Sequence, residues 1–302
     1  MGPMFAISIP TISLAPEELF HIGPLQITNS NLVMMIVIIA IAVFFITSTR
    51  KLTTVPGRRQ ALVEYTVESL LSFTVSTSGN AKLARKIFPL IVTLFVFILC
   101  ANYSGLLPGV GSIYITKDVP VPASVAVAQL TPEERQTEHV IQKGDGKYYY
   151  QGEHVPIFRS PNADLNMTLA LALIVMVLVQ YYGIRANGVG YFREFRNPMA
   201  IIELFSRTLS LSLRLFGNIF GGEVLVTVMY ALTFVLVPTL FLFLELFFGF
   251  IQALVFVVLT IIFISLAATE HHGGGHAAAS GEHDLRSPIA DELSAAPLGG
   301  GD

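Results

Sequence analysis

The chain has 302 residues, of which 53% are hydrophobic and 13% charged, with a mean hydropathy of +0.66 and a formal net charge of -3. Soluble domains carry about 25% charged residues, so this balance excludes a soluble globular protein and specifies an integral membrane one. The slight acidity, with basic residues in short clusters rather than along one stripe, excludes a nucleic-acid binder. A lone Cys100 excludes an internal disulfide framework and reads as a small hydrophobe. The opening MGPMFAISIP has neither a basic n-region nor Arg-rich amphipathic character, so no cleavable signal or transit peptide is expected.

Residues 1–29 read as an outside N-terminal segment. The first apolar run, about residues 30–48, approaches the ~20 residues that a spanning helix needs. Arg50, Lys51, Arg58 and Arg59 follow it, and positive charge belongs on the inside, so the N-terminus is outside. Residues 60–80 group Leu62, Tyr65, Ser69 and Phe73 near one face and Glu64 and Glu68 on another, which predicts a helix lying on the cytoplasmic surface. Lys82, Arg85 and Lys86 keep that stretch inside. A second span is predicted over about 88–107, completing a unit of residues 30–108. A third covers about 165–184 and ends in Arg185, Arg193 and Arg196.

Between these spans lies a polar outside insert, residues 109–161. TPEER, at 131–135, has Thr131, Pro132 and Glu134 in the positions of a capping-box helix start. HVIQKGDGKYYYQ predicts a hairpin turning at Gly144, Asp145 and Gly146. Neither piece has ligand spacing, so the insert reads as structural or as an interaction element. No repeat of fixed period is present.

Residues 162–270 hold the third span and two longer segments. From about Met199 to Val237 there is no strong breaker before Pro238, which predicts ~57 Å of helix against a ~30 Å hydrocarbon core. The following segment, to about Thr269, extends to ~45 Å. The fold class is therefore all-α membrane protein: about five membrane helices plus a surface amphipathic helix, with the last two long, antiparallel and steeply tilted. Residues 271–302 are Gly/Ala-rich and aperiodic, and read as a disordered cytoplasmic tail whose His271, His272, His276 and His283 are incidental. No cofactor or metal site is expected.

The run LSLSLRLFGNIFGGE, 209–223, places Arg214 where a charge costs ~2.5–3.5 kcal/mol even on lenient insertion scales. On a helix, Arg207, Ser210, Arg214, Gly217, Asn218 and Gly221 share one face. Gly217, Gly221 and Ser210 make it a small-residue seam that another helix could approach closely, bringing a partner carboxylate to Arg214. An ion pair within the chain is the plainer alternative. Glu223 lies nine residues on, about 180° around the helix, and cannot be that partner. Glu245 shares a face of the next helix with Gln252. Carboxyl groups at membrane depth can take up and release protons, whereas arginine stays charged. One fixed cation and two titratable acids result.

The runs SLSLRLFGNIFGGE, PMAIIELFSR, FIQALVFVVLTIIF and PNADLNMTLALAL closely resemble subunit a of F-type rotary ATP synthases, over roughly residues 30–108 and 160–270. The resemblance implies a stator in a bacterial plasma (inner) membrane, N-terminus outside and C-terminus cytoplasmic. It implies a ring of c subunits, b-type peripheral stalk subunits and membrane lipid as partners. It further implies two offset aqueous half-channels and an arginine, here Arg214, facing the ring's carboxylates. Glu223, Glu245, Asn166 and Asp164 would line the outer channel, Gln252 would stand opposite Arg214, and Arg207, Ser210 and Asn218 would border the inner side. Two departures stand out. Many relatives pair a Glu with a His where Glu223 and Glu245 stand, whereas all seven His here lie outside the spans. The insert after LLPG is also longer than the family's.

GxxxxGK[ST] is absent, so no direct nucleotide binding and no catalysis by this chain alone are expected. A secondary transporter or channel would also keep intramembrane charges, but such folds commonly carry inverted repeats. An intramembrane hydrolase would need HExxH or a Ser/His pair at membrane depth, and no His is available there.

Overall fold

In hydrocarbon a backbone has no water to bond, so each apolar run must close its hydrogen bonds internally, as a helix. The computed structural model describes residues 16–22, 25–50, 53–110, 113–121, 140–142, 148–188, 191, 198–232 and 236–269. Its helices are α1 (Asn29–Thr49), α2 (Arg58–Ser78), α3 (Ala81–Gly105), α4 (Leu165–Asn187), α5 (Pro198–Leu232) and α6 (Leu236–Thr269). All but α2 are long and apolar enough to cross a membrane. The expected all-α membrane protein is thus present, with the surface helix between the first two spans.

The starts of these helices are written in local chemistry. Thr28 Oγ1 accepts from the Asn31 amide at the head of α1, and Asn80 Oδ1 accepts from Lys82 and Leu83 at the head of α3. That cap moves the start of α3 seven residues ahead of the predicted span. Gly79, at φ 65, ends α2 in the left-handed region that favours glycine.

The face of α2 that packs on the bundle lies beside the apolar face named from the sequence. Gln60, Val63, Leu70 and Thr74 are buried, whereas Leu62 and Tyr65 are 57% and 73% exposed. Counting apolar residues favoured Leu62 and Tyr65; packing against α3 and α6 selects the stripe beside them.

The core lies among α3, α4, α5 and α6. Ile87, Ile91 and Ile98 of α3 meet Ala172, Val175 and Val179 of α4, Leu211 and Leu215 of α5, and Phe256, Val257, Ile261 and Ile264 of α6. Spacings of three, four and seven keep each set on one helix face.

The break between α5 and α6 comes earlier than the sequence suggested. Pro238 does not end α5; it stands in the first turn of α6, where its missing N–H costs nothing. The two helices hold 35 and 34 residues, or ~52 Å and ~51 Å at the α-helical rise. To lie wholly within a ~30 Å core, helices of this length must incline by about 55°.

The segments ahead of α1 and between α3 and α4 form two small sheets. β1 (Glu18–Ile22) and β2 (Leu25–Thr28) pair antiparallel ahead of α1. β3 (Tyr114–Pro120), β4 (Val140–Gln142) and β5 (Tyr148–Pro156) form an antiparallel sheet of order β3-β5-β4. The pairing of Val140–Gln142 with β5 is the expected hairpin; its turn, and the TPEER segment, lie outside the described residues. So does the tail.

From β5 the chain returns to the bundle as a strap, residues 157–164, containing a 3-10 turn at Pro161–Ala163. The strap is anchored by polar contacts. Ser160 Oγ donates to Ala101 O at 3.2 Å, Asn162 Nδ2 to Asn102 Oδ1 at 2.7 Å, and Asn102 Nδ2 to Gly249 O at 2.9 Å. Asp164 caps α4 by accepting from the Asn166 amide at 2.9 Å, and its other oxygen accepts from Ser30 Oγ at 3.0 Å.

Asp164→Ala removes both the cap and the acceptor for Ser30, which should destabilise the chain by about 2 kcal/mol. Asp164→Asn keeps a capping oxygen and should lose less. Thermal unfolding of the two variants in detergent measures the difference.

Candidate functional site

On α5 the six-residue seam faces away from the bundle. Leu211, Leu215 and Ile219 are buried on the inner side of this helix, while Ser210, Arg214, Gly217 and Gly221 are exposed and Arg207 and Asn218 half-buried. A Cβ built on Gly217 or Gly221 would meet nothing within 4 Å. The most apolar stretch of α5 is 22% buried in the chain, against 44% for that of α6 and 17% for that of α1.

Arg214 lies on that face with little to hold it. Its Nη2 donates to Ser210 Oγ at 3.5 Å, and it forms no ion pair with any described residue. The alternative of an ion pair within the chain therefore has no support among the described residues. Ser206, Arg207, Ser210, Leu211 and Arg214 line a recess completed by Leu259 and Phe263 of α6. Gln252 precedes these two by seven and eleven residues, which puts it on the same side of α6. It is buried, and its Nε2 has no acceptor.

Arg207 is held differently. It pairs with Glu203 one turn earlier, and its guanidinium carbon stands 5.1 Å from the Phe263 ring centre, a cation–π distance. The Glu203–Arg207 pair was legible as an i,i+4 spacing.

The two predicted acids come together at the other end of the α5–α6 contact. The Glu245 carboxyl leans on Gly222: a Cβ built there would stand 2.9 Å from Glu245 Cδ and Oε1. A side chain at Gly222 would thus displace the flexible end of Glu245, one residue from Glu223. Glu223 Oε2 lies 3.4 Å from Arg159 Nε. Arg159, 4% exposed, comes from the strap and was not predicted. The available signal was its position just before SPNAD, a turn that the span boundary at Asp164 already pinned to the membrane surface.

Asp164 and Asn166 lie at the head of α4, five and seven residues beyond Arg159. Both Asp164 oxygens are engaged in the cap and the Ser30 bond, and the Asn166 side chain is exposed. No group of three or more metal-ligating side chains occurs among the described residues.

Comparison with known proteins decides the family. The family model "ATP synthase A chain" matches residues 31–265, more than half of the chain. The chain belongs to this family. Relatives include the ATP synthase subunit a of Moorella thermoacetica, 31% identical over 257 residues, covering 83% of this chain and 95% of the relative. That of Gloeobacter violaceus is 33% identical over 270 residues, covering 87% and 93%. That of Campylobacter jejuni (strain RM1221) is 31% identical over 265 residues, covering 84% and 91%. The chain is accordingly a multi-pass membrane component of an ATP synthase.

The Gly222 contact generates a test that leaves every charge in place. Gly222→Ala should push the Glu245 carboxyl aside and slow ATP synthesis about tenfold, the scale on which small misplacements act. Adding Glu245→Asp, one methylene shorter, should recover part of the rate. Rates per assembled complex in membrane vesicles make the comparison.

Proposed function

We propose that this chain is the proton-translocating stator of the synthase, with Arg214 facing the carboxylates of a rotating ring of small c subunits. The observation that carries the proposal is an exposed guanidinium without an ion pair among the described residues, on a helix face stripped to Ser and Gly. In lipid such a charge is costly unless something meets it. A small-residue face admits a second helix at close range, and a carboxylate on that helix is the chemical complement of Arg214.

Protons enter from the outside past Glu245 and Glu223 and neutralise a ring carboxylate, which can then turn into lipid. After nearly a full turn they leave on the inner side, bordered by Arg207, Ser210 and Asn218. Arg214 favours the ionised ring carboxylate at the release point, and its permanent charge bars protons from crossing directly between the two paths. Gln252, on the recess side of α6 with a spare donor, is suited to hold the arriving carboxylate or its water. Asp164 and Asn166 border the outer side of the path, where Asp164 also caps α4. The peripheral stalk binds elsewhere on the chain, and the inner end carries the C-terminus.

Arg214→Lys keeps a positive charge but offers a compact ammonium that can lose its proton, and lacks the planar fork. It should assemble normally yet abolish proton-driven synthesis. Arg214→Ala should abolish synthesis and also let protons leak through the membrane sector. Glu245→Gln should leave assembly intact and slow synthesis roughly a hundredfold, the scale of one lost proton-transfer group. Passive proton flux into vesicles and ATP synthesis by the whole complex measure these outcomes. Near-normal synthesis in Arg214→Lys would contradict the need for a guanidinium.

A further inference from the structure

One cation at the outer end has no task in this path. Arg159 is buried in the strap, with Nε 3.4 Å from Glu223 Oε2 and its guanidinium carbon 5.8 Å from the Phe220 ring centre. The strap's own bonds fix its main chain. Ile157 N donates to Ile113 O at 2.9 Å, Ser160 Oγ to Ala101 O, and Pro161 opens the 3-10 turn. Gly105 lets the strap lie close, since a Cβ there would stand 3.0 Å from Ser160 Cβ. Arg159 is therefore delivered to Glu223 by the fold of the outside insert rather than drawn in by the carboxylate.

Its consequence follows from charge. Glu223 and the Gly222-packed Glu245 are neighbouring carboxyls at membrane depth, and two adjacent carboxylates resist being ionised together. A pair that must hold a proton on each member has no base left to receive another. A guanidinium beside one member makes its ionised form tolerable and leaves the pair one vacant position.

We propose that Arg159 is a positioning residue of the outer path, whose fixed charge lets Glu223 and Glu245 hold one proton between them rather than two. This rests on the reading of those two acids as the outer path. The proton comes from the outside water, resides on one of the pair and passes to the ring carboxylate, so the pair returns to its starting state each cycle.

The test is a charge-balance cycle in the whole synthase reconstituted in vesicles, with ATP synthesis expressed per assembled complex. Arg159→Gln lowers the local charge by one and should slow synthesis roughly tenfold or more. Glu223→Gln raises it by one and should also be slow. Combining them restores the balance, and the double variant should outpace Arg159→Gln several-fold although it has lost two polar groups. Arg159→Lys should stay within about threefold of the unmodified complex, because a single contact needs a point charge more than a fork. A merely structural arginine predicts the reverse: the double variant no faster than Arg159→Gln, and Arg159→Lys as slow as Arg159→Gln. Either result overturns the inference, and Arg159→Lys and the double variant remain decisive if Arg159→Gln fails to assemble. Glu245→Gln separates the two levels. If it leaves synthesis unchanged, the outer path itself falls; if it is slow while the double variant does not recover, only the role of Arg159 falls.

Discussion

A permanent positive charge at membrane depth, without an ion-pair partner among the described residues of its own chain, is the constraint around which this protein is arranged. The charge on Arg214 cannot be removed by deprotonation. It is exposed, and no described residue forms an ion pair with it. Instead α5 turns its bulky side chains, Leu211, Leu215 and Ile219, into the bundle and leaves Ser210, Gly217 and Gly221 around the arginine. The length of α5 and α6 fits the same purpose. Helices of ~50 Å present an extended inclined face, so groups nine or more residues apart on one helix come to different depths. That separation keeps the Glu223–Glu245 pair distinct from the Arg214 recess.

The remaining elements brace this pair of helices. α3 and α4 supply the apolar wall behind them, and the outside strap closes the end with Ser160, Asn162 and Asn102 rather than with further apolar contact. The buried Asn162 Oδ1 and Gln252 Nε2 have no hydrogen-bond partner among the described residues.

Much of the fold was legible because membrane spans announce themselves by composition, and because caps and turns are local. The hairpin joining β4 to β5 followed from GDG between alternating residues. The shared face of Arg207, Ser210, Arg214, Gly217, Asn218 and Gly221 followed from helical period alone. What escaped depends on tertiary packing. The buried stripe of α2 is chosen by α3 and α6, not by its own hydrophobicity. The break between α5 and α6 precedes Pro238 because proline is welcome in a first turn. Asp164, named by the family resemblance, also has a structural task that the resemblance did not reveal: one oxygen caps α4 and the other accepts from Ser30. Arg159 escaped because a loop residue's destination is set by how the loop folds back, and no periodicity records that.

The most direct test of the account is disulfide crosslinking between Cys introduced on α5 and Cys on the outer helix of the small carboxylate-bearing subunit, in assembled synthase with Cys100 replaced. Asn218→Cys, on the open face beside Arg214, should crosslink to that subunit, and Leu215→Cys, on the buried side of the same turn, should not. Equal crosslinking at both positions, or none at Asn218→Cys, would contradict the claim that the open face of α5 receives the ring.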